Sequence, residues 1–290
     1  MNFAQRNGFE PEKEVQLDFI DDVLRTRLFN LFDKIAKELP LGILWSAMEY
    51  VGDKLGFITL DRNTTQIYVK KRFLNQLEES KWYDPYSIIE LFVSSLRIQA
   101  GCHNCTLECS SQYCNNADSI SYFQPLFNLI LEEEKSGYRM IDWIFVPITG
   151  KSELQSIEES ISVDYSAAGI HIKKAMGLYS DRANPDYENS IKESISAVES
   201  MCCYITGLQG KQATLGKAIK KLEDNGVVIH ESMKSAFNQL YSYTSDSSGI
   251  RHGGIDFKNA PAEDAKYMLI SCSAFVNYLA EKYSKIGGGT

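Results

Sequence analysis

Residues 185–204 constrain the fold of this 290-residue chain more than any other stretch. On a 3.6-residue wheel Ile191, Ile195, Val198 and Cys202 fall on one face, and Asn189, Lys192, Glu193, Ser196, Glu199 and Ser200 on the other. A helix with one apolar face must bury it against other elements, so this segment predicts a helix packed in a bundle. Pro185 suits its start. The polar stripe is either a solvated face or one wall of a site, where the two carboxylates, Glu193 and Glu199, could order a facing Arg or His.

The flanking segments predict more helices. Ala167–Tyr179 reads as a helix bridging the two halves of the chain. Lys211–Leu222 carries Leu215, Ile219 and Leu222, with Gly226 as its stop. His230–Tyr243 carries Met233, Phe237 and Leu240. Pro261 opens a last helix with a stripe of Met268, Leu269, Cys272, Val276 and Leu279, and Glu263 and Asp264 suit its first turn. Four main helices with short links make residues 166–290 a helical bundle.

Residues 1–165 read as a domain that is mostly α with a little β. Val15–Leu39 has apolar residues at helical spacing and is stopped by Pro40 and Gly42. Ile43–Val51, Ile88–Leu96 and Phe123–Glu133 are further helices. Phe57–Leu60 and Gln66–Val69 predict a hairpin around Arg62–Thr65, and Tyr138–Ile148 a short strand whose Pro147 marks an end or an edge. Ser152 and Gln155 form a capping-box pattern for a helix to about Ile161. Arg25, Arg27 and Arg139 are either site residues or ion-paired.

Charge narrows the possible partners. The net charge is −8, with 16 Lys+Arg against 25 Asp+Glu in residues 1–165 and 14 against 13 in the rest. Such a chain has no broad electrostatic footprint for nucleic acid, so any RNA site is local and belongs to the C-terminal half. No apolar run reaches the length of a membrane-spanning helix, and the polar first residues lack a secretory core. A cytoplasmic location and no membrane partner follow. The seven cysteines then point to a reducing compartment rather than a disulfide framework.

Two stretches carry chemistry. Cys102, Cys105, Cys109 and Cys114, in an insertion at about 101–115, are spaced C-x2-C-x3-C-x4-C. Four thiolates can close a tetrahedral zinc site; free thiols in an exposed insertion are the alternative. Tyr241–Gly254, YSYTSDSSGIRHGG, sets a guanidinium and an imidazole side by side at Arg251 and His252 among small residues. Histidine gives and takes protons near neutrality, and the Arg fork matches a phosphate. The same loop could instead be structural.

The runs SDRANPDYENSIKESISAVES, YTSDSSGIRHGG and DAKYMLISCSAFVNYL, with FAQRNGF, QLDFIDDVLRTRLFN and FNLILEEEKSGYR near the start, resemble bacterial proteins that join an AbiJ-type abortive-infection N-terminal domain to a HEPN-like four-helix bundle. The resemblance implies a dimeric, metal-independent ribonuclease of anti-phage defence. HEPN nucleases usually carry Arg followed four to six residues later by His on one helix. Here Arg251 and His252 are adjacent and precede the last helix. On this reading His252 is the base or acid and Arg251 the phosphate clamp. Glu193 or Glu199 orients the pair, Asp246 holds the loop, and Lys192, Asn189 and Arg182 meet the substrate. No cofactor serves catalysis; a structural zinc, RNA, a second copy of the chain and a defence-system protein are the expected companions. The alternative is a non-catalytic module that dimerises or senses a nucleotide or a protein.

Overall fold

The computed structural model describes residues 3–9, 13–57, 61–78, 80–99, 120–163, 166–181, 183–209, 212–243 and 260–287. The protein is mainly α, and its chain divides into two compact units, Met1–Thr149 and Gly150–Thr290.

The first unit holds α1 (Phe3–Arg6), α2 (Asp22–Glu38), α3 (Leu41–Lys54), α4 (Arg62–Phe73), α5 (Asp84–Gln99), α6 (Gln124–Glu133), β1 (Arg139–Ile141) and β2 (Ile144–Val146). Its core forms where α2 meets α4, α5 and α6. The Phe32 ring stacks on Phe73 at 5.2 Å and meets Phe92 edge-on at 5.0 Å.

The helix expected from Val15 starts only at Asp22. Asp21 caps it by accepting from the Leu24 N–H at 2.7 Å. Residues before the cap are held elsewhere. The Gln16 backbone bridges to Ser136, its side-chain amide donates to the Glu134 carbonyl at 2.7 Å, and its Oε1 accepts from the Asp21 N–H at 2.6 Å. The hairpin expected around Arg62–Thr65 is instead the start of α4. Asp61 accepts from the Thr64 N–H, and the buried Thr65, Val69 and Phe73 recur every four residues, a helical spacing. The strand expected over Tyr138–Ile148 is a complete hairpin that pairs Arg139 with Val146 and Ile141 with Ile144. Its turn residues Asp142 and Trp143 both have positive φ, the geometry that matches strand twist in a two-residue loop. Asp142 is held there by Arg97 at 2.8 Å, and Trp143 by burial against Phe127.

The second unit holds α7 (Lys151–Ser162), α8 (Ser166–Ser180), α9 (Tyr187–Thr206), α10 (Leu215–Asp224), α11 (Glu231–Ser242) and α12 (Ala262–Gly287). The helix between α8 and α12 is α9; α7 packs on α8 and α12 and so completes four helices in contact, while α10 lies on α9. The bundle expected from residue 166 onward therefore takes in α7 as well. Helix α8, expected as a bridge between the halves, packs within this unit. Residues Ile191, Ile195, Val198 and Cys202 of α9 are all buried, as are Met268, Leu269, Cys272, Val276 and Leu279 of α12. Asp186, rather than Pro185, begins α9 by accepting from the Asn189 N–H at 3.1 Å. Gly207, with φ of 69°, ends it in the left-handed conformation that glycine favours. Gly150 precedes the first residue of α7, so Ser152 lies inside that helix and forms no capping box. Among the described residues no helix is long and apolar enough to cross a membrane.

Candidate functional site

At 100° per residue, the stripe from Asn189 to Ser200 covers an arc of about 120°, with Glu193 at one edge and Glu199 at the other. Each carboxylate meets a different helix. Glu193 Oε2 lies 2.6 Å from His171 Nδ1 on α8. Glu199 accepts the hydroxyl proton of Tyr241 on α11. Asn189 is committed to the helix start, donating its side-chain N–H to Asp186 at 2.6 Å. Lys192 and Ser196 are half-buried on the stripe between the two edges.

The tautomer of His171 follows from its partner. An ionised carboxylate only accepts hydrogen bonds, so Nδ1 carries the proton donated to Glu193. Nε2 has no protein partner among the described residues. The two side chains are 29% and 28% exposed, so a ligand at the surface can reach both. Lys174, one turn along α8 from His171, is exposed.

A second feature lies between α11 and α12. A cavity of about 610 Å³ is lined by Phe237, Leu240, Tyr243, Asp264, Tyr267 and Met268. The Phe237 ring stacks on Phe275 at 3.5 Å. Tyr243 donates its hydroxyl to Asp264 at 2.7 Å, tying the end of α11 to the start of α12. Burial and the Asp264 carboxylate push the Tyr243 phenol up to about 12, so it stays a donor.

Several residues singled out in the sequence are structural. Arg25 is buried and donates to the carbonyls of Phe73 and Lys81. Arg27 pairs with Glu133 and Glu134, and Arg139 donates to the Ser136 and Tyr138 carbonyls. Burial pushes the thiols of Cys202 and Cys272 up to about 12, which leaves them inert core residues. Arg251, His252, Asp246, Arg182, Cys102, Cys105, Cys109 and Cys114 lie outside the described residues. Among the described residues no group of three or more His, Cys, Asp or Glu is placed to hold a metal ion.

Sequence reasoning missed His171. Its segment reads as a packing helix, and one histidine adds no spacing signal. The signal that existed was on the other side, in the carboxylates of α9 that need something to face.

The family model for AbiJ N-terminal domain 4 matches residues 1–163. No curated protein and no solved structure matches the chain.

Proposed function

The chain belongs to the AbiJ N-terminal domain 4 family, an abortive-infection-related family, and from that premise we propose that it is a defence effector that cleaves RNA without a metal. The observation that carries this reading is the stripe of α9, whose Glu193 holds a histidine in a fixed tautomer at an accessible surface. Cleavage of a phosphodiester without a metal needs a base for the 2′-hydroxyl, an acid for the leaving oxygen and a cation for charge developing on the phosphate. The proposed centre makes His252 the base or the acid and Arg251 the phosphate clamp, with Asp246 holding their loop. Glu199 orients the loop through Tyr241, and Lys192, Arg182 and Asn189 meet the RNA. Self-association of a HEPN-like bundle into a homodimer would bring two such loops together, and closed twofold pairing is the commonest soluble assembly. The four cysteines hold a structural zinc on this reading, and a defence-system protein supplies the trigger.

Expression in cells, wild type beside His252→Ala, with growth and total RNA followed together, tests it. Wild type should arrest growth and fragment RNA, and EDTA should leave cleavage by the purified protein unchanged. Loss of a proton-transfer group slows such reactions by about 10²–10⁴-fold, so His252→Ala should relieve the arrest. Arrest by His252→Ala equal to that of wild type would overturn the assignment.

The cavity between α11 and α12 supports the second reading, a module that senses a ligand. Its size falls within the roughly 300–1,000 Å³ of small-molecule sites, and its aromatic walls with one carboxylate suit a planar ring bearing a hydrogen-bond donor. Intact RNA in wild-type cells would favour that reading.

A further inference from the structure

Resting on the ribonuclease reading above, we propose that His171 is a proton-transfer residue for RNA cleavage and that Glu193 is its positioning residue. The pair does little for the fold. A hydrogen-bonded pair this exposed contributes about 0–1 kcal/mol. Helices α8 and α9 already pack on each other, with Ala168, Ile172, Ala175, Met176, Ile191 and Ile195 all buried, and the Ser190 hydroxyl donates to the Ala175 carbonyl at 2.7 Å. What the pair does achieve is chemical. Glu193 holds the proton on Nδ1, which leaves the lone pair of the neutral ring on Nε2, on a side chain that is 29% exposed. A carboxylate that fixes the tautomer and orientation of an imidazole is the arrangement by which histidine bases are readied elsewhere.

The surroundings suit a strand of RNA rather than an enclosed small molecule. Lys174 flanks the ring on the exposed face of α8, and Lys192 and Ser196 continue the polar surface along α9. Glu199, which holds Tyr241, lies six residues beyond Glu193, about 9 Å along the helix axis at 1.5 Å per residue. One polar face thus runs from the His171 ring to Tyr241 near the end of α11.

In the step assigned to it, Nε2 of neutral His171 takes the proton from a ribose 2′-hydroxyl. The oxygen's electron pair forms a new bond to phosphorus, and the bond from phosphorus to O5′ breaks. O5′ leaves with that electron pair and takes a proton from water, so the products are a 2′,3′-cyclic phosphate and a free 5′-hydroxyl.

The test uses the full-length chain and a mixed-sequence oligoribonucleotide, with the unfolding midpoint recorded for every variant. His171→Gln should lower kcat by about 10²–10⁴-fold with little change in KM. Glu193→Gln, which keeps an acceptor but loses the charge, should lower kcat by a smaller factor. Added imidazole should restore part of the cleavage lost in His171→Gly, which a purely structural role would not allow. The product end should be a 2′,3′-cyclic phosphate, and the all-deoxy oligonucleotide should stay whole. Wild-type rates for both His171→Gln and Glu193→Gln would overturn the assignment and leave the ribonuclease reading standing. A wild-type protein that cleaves no RNA would bring down both.

Discussion

Glu90 is a residue whose charge burial in the first unit disturbs. Burial between α5 and β2 raises its carboxyl from 4.5 to about 7, against the opposing pull of the Phe145 N–H, which donates to it at 2.6 Å. The native state therefore holds this proton more tightly than the unfolded chain does. Its stabilising contribution is complete below the unfolded value of 4.5 and is lost as pH rises through about 7. Denaturant unfolding of the wild type should lose on the order of 1–3 kcal/mol between pH 5 and pH 8 from this group, and Glu90→Gln should flatten that slope. An equal slope in the variant would remove Glu90 from the account. The cysteines make a second prediction at this scale. Protein purified without added zinc should contain near one equivalent of the metal, and Cys105→Ser protein should contain none.

At the scale of elements, α7 approaches α8 closely at Gly169. A β-carbon at Gly169 would lie 2.8 Å from the Ile161 carbonyl oxygen, closer than real β-carbons come. Alanine favours a helix over glycine by about 1 kcal/mol, so the substitution would help if the helix were isolated. The clash outweighs that gain because a backbone oxygen cannot swing aside, and overpacking costs about 1–3 kcal/mol. Gly169→Ala should therefore lower the stability of the bundle in chemical denaturation, and an increase would show that α7 can move away freely. Elements are also where the sequence was legible and where it was not. The stripes of α9 and α12 were readable because 3.6-residue spacing repeats over about three turns. Helix α4 was not, since Phe57, Ile67 and Val69 near an Asn-Thr pair look like two strands and a turn. Val69 is buried on one helix face with Thr65 and Phe73 instead, while Ile67 is exposed.

For the whole molecule, the contact boundary and the family match differ. The compact units divide between Thr149 and Gly150, whereas the family match continues to residue 163 and so includes α7. Packing of α7 against α8 and α12 predicts that a fragment beginning at Gly150 unfolds cooperatively. A fragment beginning at Ser166 exposes the faces that Leu154 and Ile157 cover, and it should lose cooperativity or bind a dye for exposed apolar surface. Equal stability of the two fragments would show that α7 belongs with the first unit.

The sequence by itself determined the mainly α class, the buried faces of α9 and α12, the stop at Gly226 after α10 and the kinship of the N-terminal domain. These depend on short-range effects: apolar spacing, capping and the conformational freedom of glycine act within a few residues. Only the tertiary structure decided that Gln16 docks on Glu134, more than a hundred residues away, so that α2 begins at Asp22. It also decided that Glu193 faces His171 across α8 and α9. Such pairings depend on which helix lies beside which and at what rotation, and packing of the whole core sets that rotation.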